Sequence, residues 1–292
     1  MRKSLIISLL IVSLLPLQAV GWEFVVIADF LNQDTLSPKQ EKHSARVLNA
    51  IAQENPEFVM IPGDLAMAHW FITEANVRTS GNRIYEKWKA RFNKRDLDYY
   101  TAIGDHELGD LPAINYLLQG YLLPEFKRTY KRNFNLPKNG PEGYKELAYF
   151  FVEKNTLFIT VMTFDIKGWF VTPELSQSQL TWLDEVLERF EDKVNHIIVQ
   201  GHLPVLPVKS SNYSSKLMVK GNSQSELWQI MAKHNVDYYL AGEFHSLDVS
   251  HKDGITQIVT GGLVGKTSMY YVVFNINEQI HYTIKEVRTD TN

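Results

Sequence analysis

Three apolar runs in the first part of the chain each end on an aspartate. Glu23 to Ile27 leads to Asp29, Glu57 to Ile61 leads to Pro62-Gly63-Asp64, and Tyr99 to Ile103 leads to Gly104-Asp105-His106-Glu107. Phe24-Val25-Val26-Ile27 is continuously apolar rather than alternating, the pattern of a strand in a sheet covered on both faces. Helical segments lie between the runs. Ser37-Pro38 offers an N-cap and a first-turn proline to a helix carrying Ala45, Val47, Leu48 and Ile51, and a second helix is expected around Arg83 to Phe92. A βαβ series of this kind sets its polar residues at strand carboxyl ends, where open α/β sheets bind ligands. One such aspartate is explained well enough as a turn residue or helix cap. Three in succession point to a shared site.

The remainder continues the pattern. Leu111 to Gly143 is less regular, interrupted by Pro112, Pro124, Pro137 and Pro141, and reads as a helical excursion and a loop. Phe150 to Glu153 and Leu157 to Phe164 read as strands forming a hairpin across Lys154-Asn155-Thr156. Ser176 to Phe190 is an amphipathic helix with Leu180, Leu183, Val186 and Leu187 facing inward. The strand His196 to Val199 ends at Gly201-His202, and the strand Asp237 to Leu240, after a helix over Ser225 to His234, ends at Gly242-Glu243-Phe244-His245. Strands at Thr256 to Val259, Met269 to Phe274 and Gln279 to Ile284 close the chain.

The N-terminus stands apart from this pattern. Met1-Arg2-Lys3 is basic, Leu5 to Leu17 is almost wholly apolar, and Gln18-Ala19-Val20-Gly21 supplies small residues at the end, the order of a secretory signal peptide. We therefore expect residues 1–21 to be a signal peptide and residues 22–292 one domain, exported to a periplasm or the medium. An uncleaved anchor is the alternative, although the apolar run falls short of the ~20 residues a span needs, so no stable membrane span is expected once the signal is removed. With no cysteine in its 292 residues, the chain has no disulfides, lipid-anchored cysteine or thiol nucleophile, and must hold any metal through nitrogen and oxygen. The formal charge of −3 suggests no nucleic-acid groove. The basic pairs Lys127-Arg128 and Lys131-Arg132 read as a solvated helix face.

Just past the strands, then, lie Asp29, Asp64, Asp105 with His106, His202, and Glu243 with His245. Carboxylates and imidazoles are ligands for hard or borderline divalent cations. Two such ions a few ångströms apart could share a carboxylate and clamp the attacking and leaving oxygens of a phosphoryl centre. No Gly-x-Ser-x-Gly elbow competes with this reading. The order Asp29, Gly63-Asp64, Gly104-Asp105-His106-Glu107, Gly201-His202 and Gly242-Glu243-Phe244-His245 resembles the calcineurin-like metallophosphoesterases over about Glu23 to Gly262. Gln179 to Leu187 and Gly261-Gly262 fit the same family.

The resemblance implies a four-layer α/β/β/α sandwich of two mixed sheets flanked by helices. It implies that Asp64 bridges two metals, that Asp29 and His245 hold one, and that Asp105, His202 and Glu243 hold the other. A metal-bound hydroxide would attack the phosphorus of a small phosphorylated substrate, and His106 would assist the leaving group. A histidine beside a ligand in a glycine turn titrates near neutrality, which suits that task.

Three positions depart from the family pattern. Leu31 stands where a histidine is usual, Asp105 replaces an asparagine, and Glu243 replaces a histidine. Asn32, Gln33, Asp34 or His69 could substitute for the missing imidazole, or water could. Four carboxylates against two divalent ions lower the ligand-plus-metal charge from about +2 to about 0, and the oxygen-rich set favours Mn²⁺, Mg²⁺ or Ca²⁺ over Zn²⁺ or Fe. The altered ligands also keep open a metal-binding pseudoenzyme acting as a binding protein.

Other features carry less. The stretch Gly261 to Thr267 looks like a phosphate loop but lacks its first glycine, Thr260 occupying that place, and precedes a strand rather than a helix. Asn212-Tyr213-Ser214 is a glycosylation sequon. His43, His196, His234, His251 and His281 read as structural or surface residues. Trp70, Phe71 and Tyr85 could line a pocket or pack in the core.

Overall fold

The computed structural model describes residues 21–29, 38–65, 73–109, 116–167, 170–209, 214–262 and 268–288. The expected leader, Leu31 to Asp34, His69 to Phe71, the sequon asparagine and Leu263 to Thr267 lie outside them.

Two mixed sheets pack face to face. The first is β13-β12-β1-β2-β3: β1 (Trp22–Val26), β2 (Val59–Ile61) and β3 (Tyr99–Thr101) run parallel, β12 (Ser268–Ile276) is antiparallel to β1, and β13 (Ile280–Arg288) is antiparallel to β12. The second is β10-β11-β9-β8-β5-β4. In it β5 (Thr156–Thr160), β8 (His196–Gln200), β9 (Tyr238–Ala241) and β11 (Ile255–Val259) are parallel neighbours, while β4 (Tyr149–Glu153) and β10 (Asp248–Lys252) form antiparallel edges. The hairpin across Lys154-Asn155-Thr156 is β4–β5.

The pleat divides each strand's apolar residues between two layers. Phe24, Val26, Met60, Phe158, Ile198, Leu240, Ile258, Val272 and Phe274 fill the space between the sheets. There the Phe24 ring stacks on Phe274 at 4.7 Å and meets Phe158 edge-on at 5.2 Å. Val25, Ile27, Val59, Ile61, Ile159 and Val199 point outward, into a core completed by helices. These are α1 (Pro38–Gln53), α2 (Glu74–Asn93), α3 (Tyr116–Asn133), α4 (Gln177–Phe190) and α5 (Glu226–Lys233). The expected four-layer sandwich is therefore the fold. Thr73, Ser176 and Ser225 cap α2, α4 and α5 by accepting N–H groups from the first turn.

Several local expectations change. The second helix starts at Glu74, well before Arg83, because its polar first turns lie against α3, with Gly81 packed on the Thr129 side chain. The proline-interrupted middle contains an 18-residue helix that continues through Pro124. Proline forfeits one helical hydrogen bond, and burial of Leu122, Leu123, Phe126 and Tyr130 outweighs it. A two-stranded unit, β6 (Asp165–Lys167) with β7 (Phe170–Thr172), follows β5. Tyr85 belongs to the core.

The basic face of α3 is not simply solvated. Lys127 lies over the Tyr144 ring at 4.7 Å. Arg128 and Arg132, with Arg78 from α2, converge on the fully buried Glu125 carboxylate at 2.7–3.1 Å. Burial alone would push the Glu125 carboxyl up, but the three guanidinium hydrogen bonds outweigh it and hold it at about 2, below the ordinary 4.5. Its partners are half exposed, so solvent screens part of the gain. A depressed carboxyl stabilises the fold above its unfolded pKa and loses that contribution as pH falls through its folded one. Glu125→Gln should therefore cost about 1–2 kcal/mol at pH 7. In urea unfolding, the gap from the parent should close between pH 4.5 and about 2; a gap independent of pH would contradict this account.

Candidate dinuclear metal centre

The carboxyl ends of β1, β2 and β3 in one sheet and of β8 and β9 in the other meet along one edge of the sandwich. Each strand is followed by a sharp turn that carries a polar side chain back over that edge. Asp29, Asp64, Glu243 and His245 have φ of 53°, 56°, 71° and 49°. This left-handed region costs a non-glycine residue on the order of 1–3 kcal/mol and persists only where surroundings enforce it. Here they do. The Asp29 carboxylate accepts the backbone N–H groups of Glu243 at 2.9 Å and His245 at 3.3 Å, tying one sheet's edge to the other's. Glu107, fully buried, accepts the N–H groups of Gly104 at 2.8 Å and Asp64 at 3.0 Å through a single oxygen. At Gly104 any side chain is excluded, since a Cβ would fall 2.1 Å from the Asp64 Oδ1. Gly261 has φ +126°, and a Cβ there would lie 2.5 Å from the Asp29 Oδ2.

These turns gather two donor groups. Asp64, Asp105, His202 and Glu243 form one, and Asp29, Asp64 and His245 the other; within each, one ligand atom per residue lies within 4.8 Å of the rest. Asp64 belongs to both. His202 Nε2 stands 3.3 Å from Asp64 Oδ1, 3.2 Å from Asp105 Oδ1 and 3.3 Å from Glu243 Oε2. Its Nδ1 donates to the Pro62 carbonyl at 2.8 Å, which turns Nε2 toward the acids. Asp64 Oδ2, Asp105 Oδ1 and His202 Nε2 are sealed from solvent and make no hydrogen bond among the described residues. Buried polar atoms without partners are costly, and several converging on one point fit cations.

The electrostatics agree. In the protein alone, burial pushes the Asp29 carboxyl up to about 7, against the opposing pull of His202. Burial likewise raises Asp64, with His202 and His106 opposing. Asp105 feels the same burial, but His202 and His106 outweigh it and hold its carboxyl below the usual range. Burial disfavours the His202 imidazolium, yet Asp64, Asp105 and Glu243 around it raise its pKa well above the ordinary value. Closely packed acids thus hold protons that a cation must displace.

All six residues expected as ligands are brought together, and His106 joins them with its Nε2 3.6 Å from Asp64 Oδ2. At 14% its side chain is more open than the fully buried His202. Gly261 and Gly262 pack against Asp29 and His245, and the strand β12 rather than a helix follows. Of the scattered histidines, His234 bridges Glu191 and Asp184 between α5 and α4, and the described contacts of His196 and His251 are with Asp237 and Thr256. Two contributors went unassigned from sequence. Glu107 carried a local signal, an acid three residues after Gly104 reaching back to its N–H in the manner of a capping box. Ser215, whose hydroxyl donates to Glu243 Oε1 at 2.6 Å, carried none, being 28 residues away in sequence.

Because Asp29 is raised to about 7, it keeps a proton below that pH. With Asp64 and His202 raised as well, divalent-metal affinity should weaken by at least roughly tenfold per pH unit below about 7, with proton release on binding. Mn²⁺ titrations from pH 8 to 5.5 in two buffers of different ionisation enthalpy would show it; a flat profile without proton release would refute it.

The family model described as calcineurin-like phosphoesterase matches residues 23–247. No curated protein sequence matches significantly. Among solved structures, a dimetal phosphatase from Danio rerio is similar at 15% identity and TM-score 0.64, covering 92% of this chain and 99% of that one. A putative 5'-nucleotidase from Staphylococcus aureus is similar at 17% identity and TM-score 0.53, covering 93% and 55%. GAP50, the anchor in the inner membrane complex of Plasmodium, is similar at 15% identity and TM-score 0.51, covering 93% and 85%. At these identities the structural likeness is one of fold; the family match, over most of the sequence and every turn that carries a donor, settles the rest. The chain belongs to the calcineurin-like phosphoesterases, hydrolases of phosphoric ester bonds.

Proposed function

We propose that the chain is an exported phosphoesterase that holds two divalent ions and hydrolyses a small phosphorylated substrate. The observation that carries this is the shared position of Asp64 in two buried donor groups. Asp29 and His245 would complete one ion's ligands, and Asp105, His202 and Glu243 the other's. When bound, such a pair supplies Lewis-acid polarisation of the phosphoryl oxygens and makes water a competent nucleophile near neutral pH. The four carboxylates favour Mn²⁺, Mg²⁺ or Ca²⁺, with Zn²⁺ or Fe less well matched.

The chain's own groups do the remaining work. Glu107 and Asp29 fix the turns through backbone N–H groups, so the donors need not reorganise during the reaction. The Pro62 carbonyl sets the tautomer of His202. His106, with its Nε2 3.6 Å from Asp64 Oδ2 and its side chain partly exposed, would pass its proton to the departing alcohol oxygen. Because four acids cancel the charge of two divalent ions, a protonated His106 would also supply the net positive charge that attracts a phosphate.

The test is metal analysis followed by hydrolysis of chromogenic phosphate mono- and diesters with Mn²⁺, Mg²⁺ or Zn²⁺ restored. We expect His106→Ala to lower kcat by at least about 10²-fold while both ions stay bound. Two bound ions and no turnover with any ester would instead establish a binding protein of this fold.

Export rests on the leader-like pattern of residues 1–21. It is consistent with β1 beginning at Trp22, paired to Ile276, which leaves the sheet intact after cleavage. Protein recovered from a secreting host should have its N-terminus near Trp22 by sequencing; an intact Met1 in the soluble fraction would count against it.

A further inference from the structure

Asp105 and Glu243, two acids of one donor group, follow strands of different sheets and share one neighbour. Ser215, on the segment after β8, donates its hydroxyl to Glu243 Oε1 at 2.6 Å, and the same oxygen accepts the Leu217 N–H at 3.0 Å. The other Glu243 oxygen, Oε2, is the one facing His202 Nε2. Asp105 is divided the same way, with Oδ1 toward His202 and Oδ2 3.5 Å from the Ser215 oxygen. A hydroxyl has one proton to donate, and the shorter contact shows that Glu243 receives it.

We propose that Ser215 is a positioning residue that makes Glu243 a one-oxygen ligand. By engaging Oε1, the hydroxyl and the Leu217 amide turn Oε2 alone toward the donor group. They also draw off part of the charge that the extra acid brings. A chelating carboxylate would crowd a site already holding Asp64, Asp105 and His202; a single oxygen leaves coordination positions for water and substrate. A histidine at position 243 would offer Ser215 no carboxylate oxygen, so the serine and the glutamate form a matched pair. This inference rests on the dinuclear reading above.

Metal-free protein, titrated with Mn²⁺ by calorimetry and by the spin-resonance signal of the free ion, tests it without turnover. The parent should bind two ions. Ser215→Ala should weaken one of the two by about 10-fold or more, the usual effect of losing a ligand's hydrogen-bond partner, and leave the other within about twofold. Ser215→Thr, which keeps the hydroxyl, should restore it. In a Glu243→His background the Ser215→Ala change should cost nothing. Histidine accepts the left-handed backbone there more readily than most residues, so that variant is expected to fold; thermal unfolding of each metal-free variant separates loss of fold from loss of ligand. Two parent sites that Ser215→Ala leaves unaltered, or weakens equally along with the metal-free melting temperature, would overturn the role of Ser215 alone. A parent that binds no Mn²⁺ would overturn this inference together with the dinuclear reading.

Discussion

The structure turns on a conflict between charge and burial. Asp29, Asp64, Asp105 and Glu243 are drawn into a pocket where three of the four are almost wholly sealed from solvent. Like charges in such a place repel, and each ionised carboxylate loses its hydration. Protons relieve this only in part, as the raised carboxyls of Asp29 and Asp64 show. The fold nonetheless aims these groups at one another, placing them on turns that leave little freedom to swing away. That arrangement is stable when cations complete it, so the rest of the molecule can be understood as the frame that keeps the donors converged without them.

The frame is built from backbone. Asp29 links the turn after β1 to the turn after β9 across the gap between the sheets. Glu107 links the turns after β2 and β3 within one sheet. Gly242 donates its N–H to the His202 carbonyl at 2.9 Å, linking the turns after β8 and β9 within the other. The left-handed φ values at four donor residues are the strain that these links sustain. An acid can thus orient its neighbours through main-chain N–H groups while a second oxygen serves the site, as at Glu243.

Most of this was legible because it is written locally. Continuous apolar runs gave both sheets, and polar residues just past the strand ends, four of them directly after a glycine, gave all six donors in order. What escaped depends on contacts distant in sequence. α3 persists through Pro124 because its apolar face is buried and Glu125 draws in three arginines, neither visible in a window around the proline. β10 reads Asp-Val-Ser-His-Lys, too polar to signal a strand, and forms because its edge position asks for pairing to β11 alone. The short β6–β7 pair has too few residues to show a period. Ser215 follows the sequon with no metal-site signal of its own, and only its contact with Glu243 in the fold reveals its partner.

The departures from the family pattern also look different once placed in space. Asp105 and Glu243, the two acids expected from the resemblance to stand in place of neutral ligands, follow strands of different sheets. In the fold they are adjacent, face the same imidazole and have the same serine as neighbour. Each acid has one oxygen toward His202 and the other toward Ser215, so the two are held as one coupled unit within the donor group.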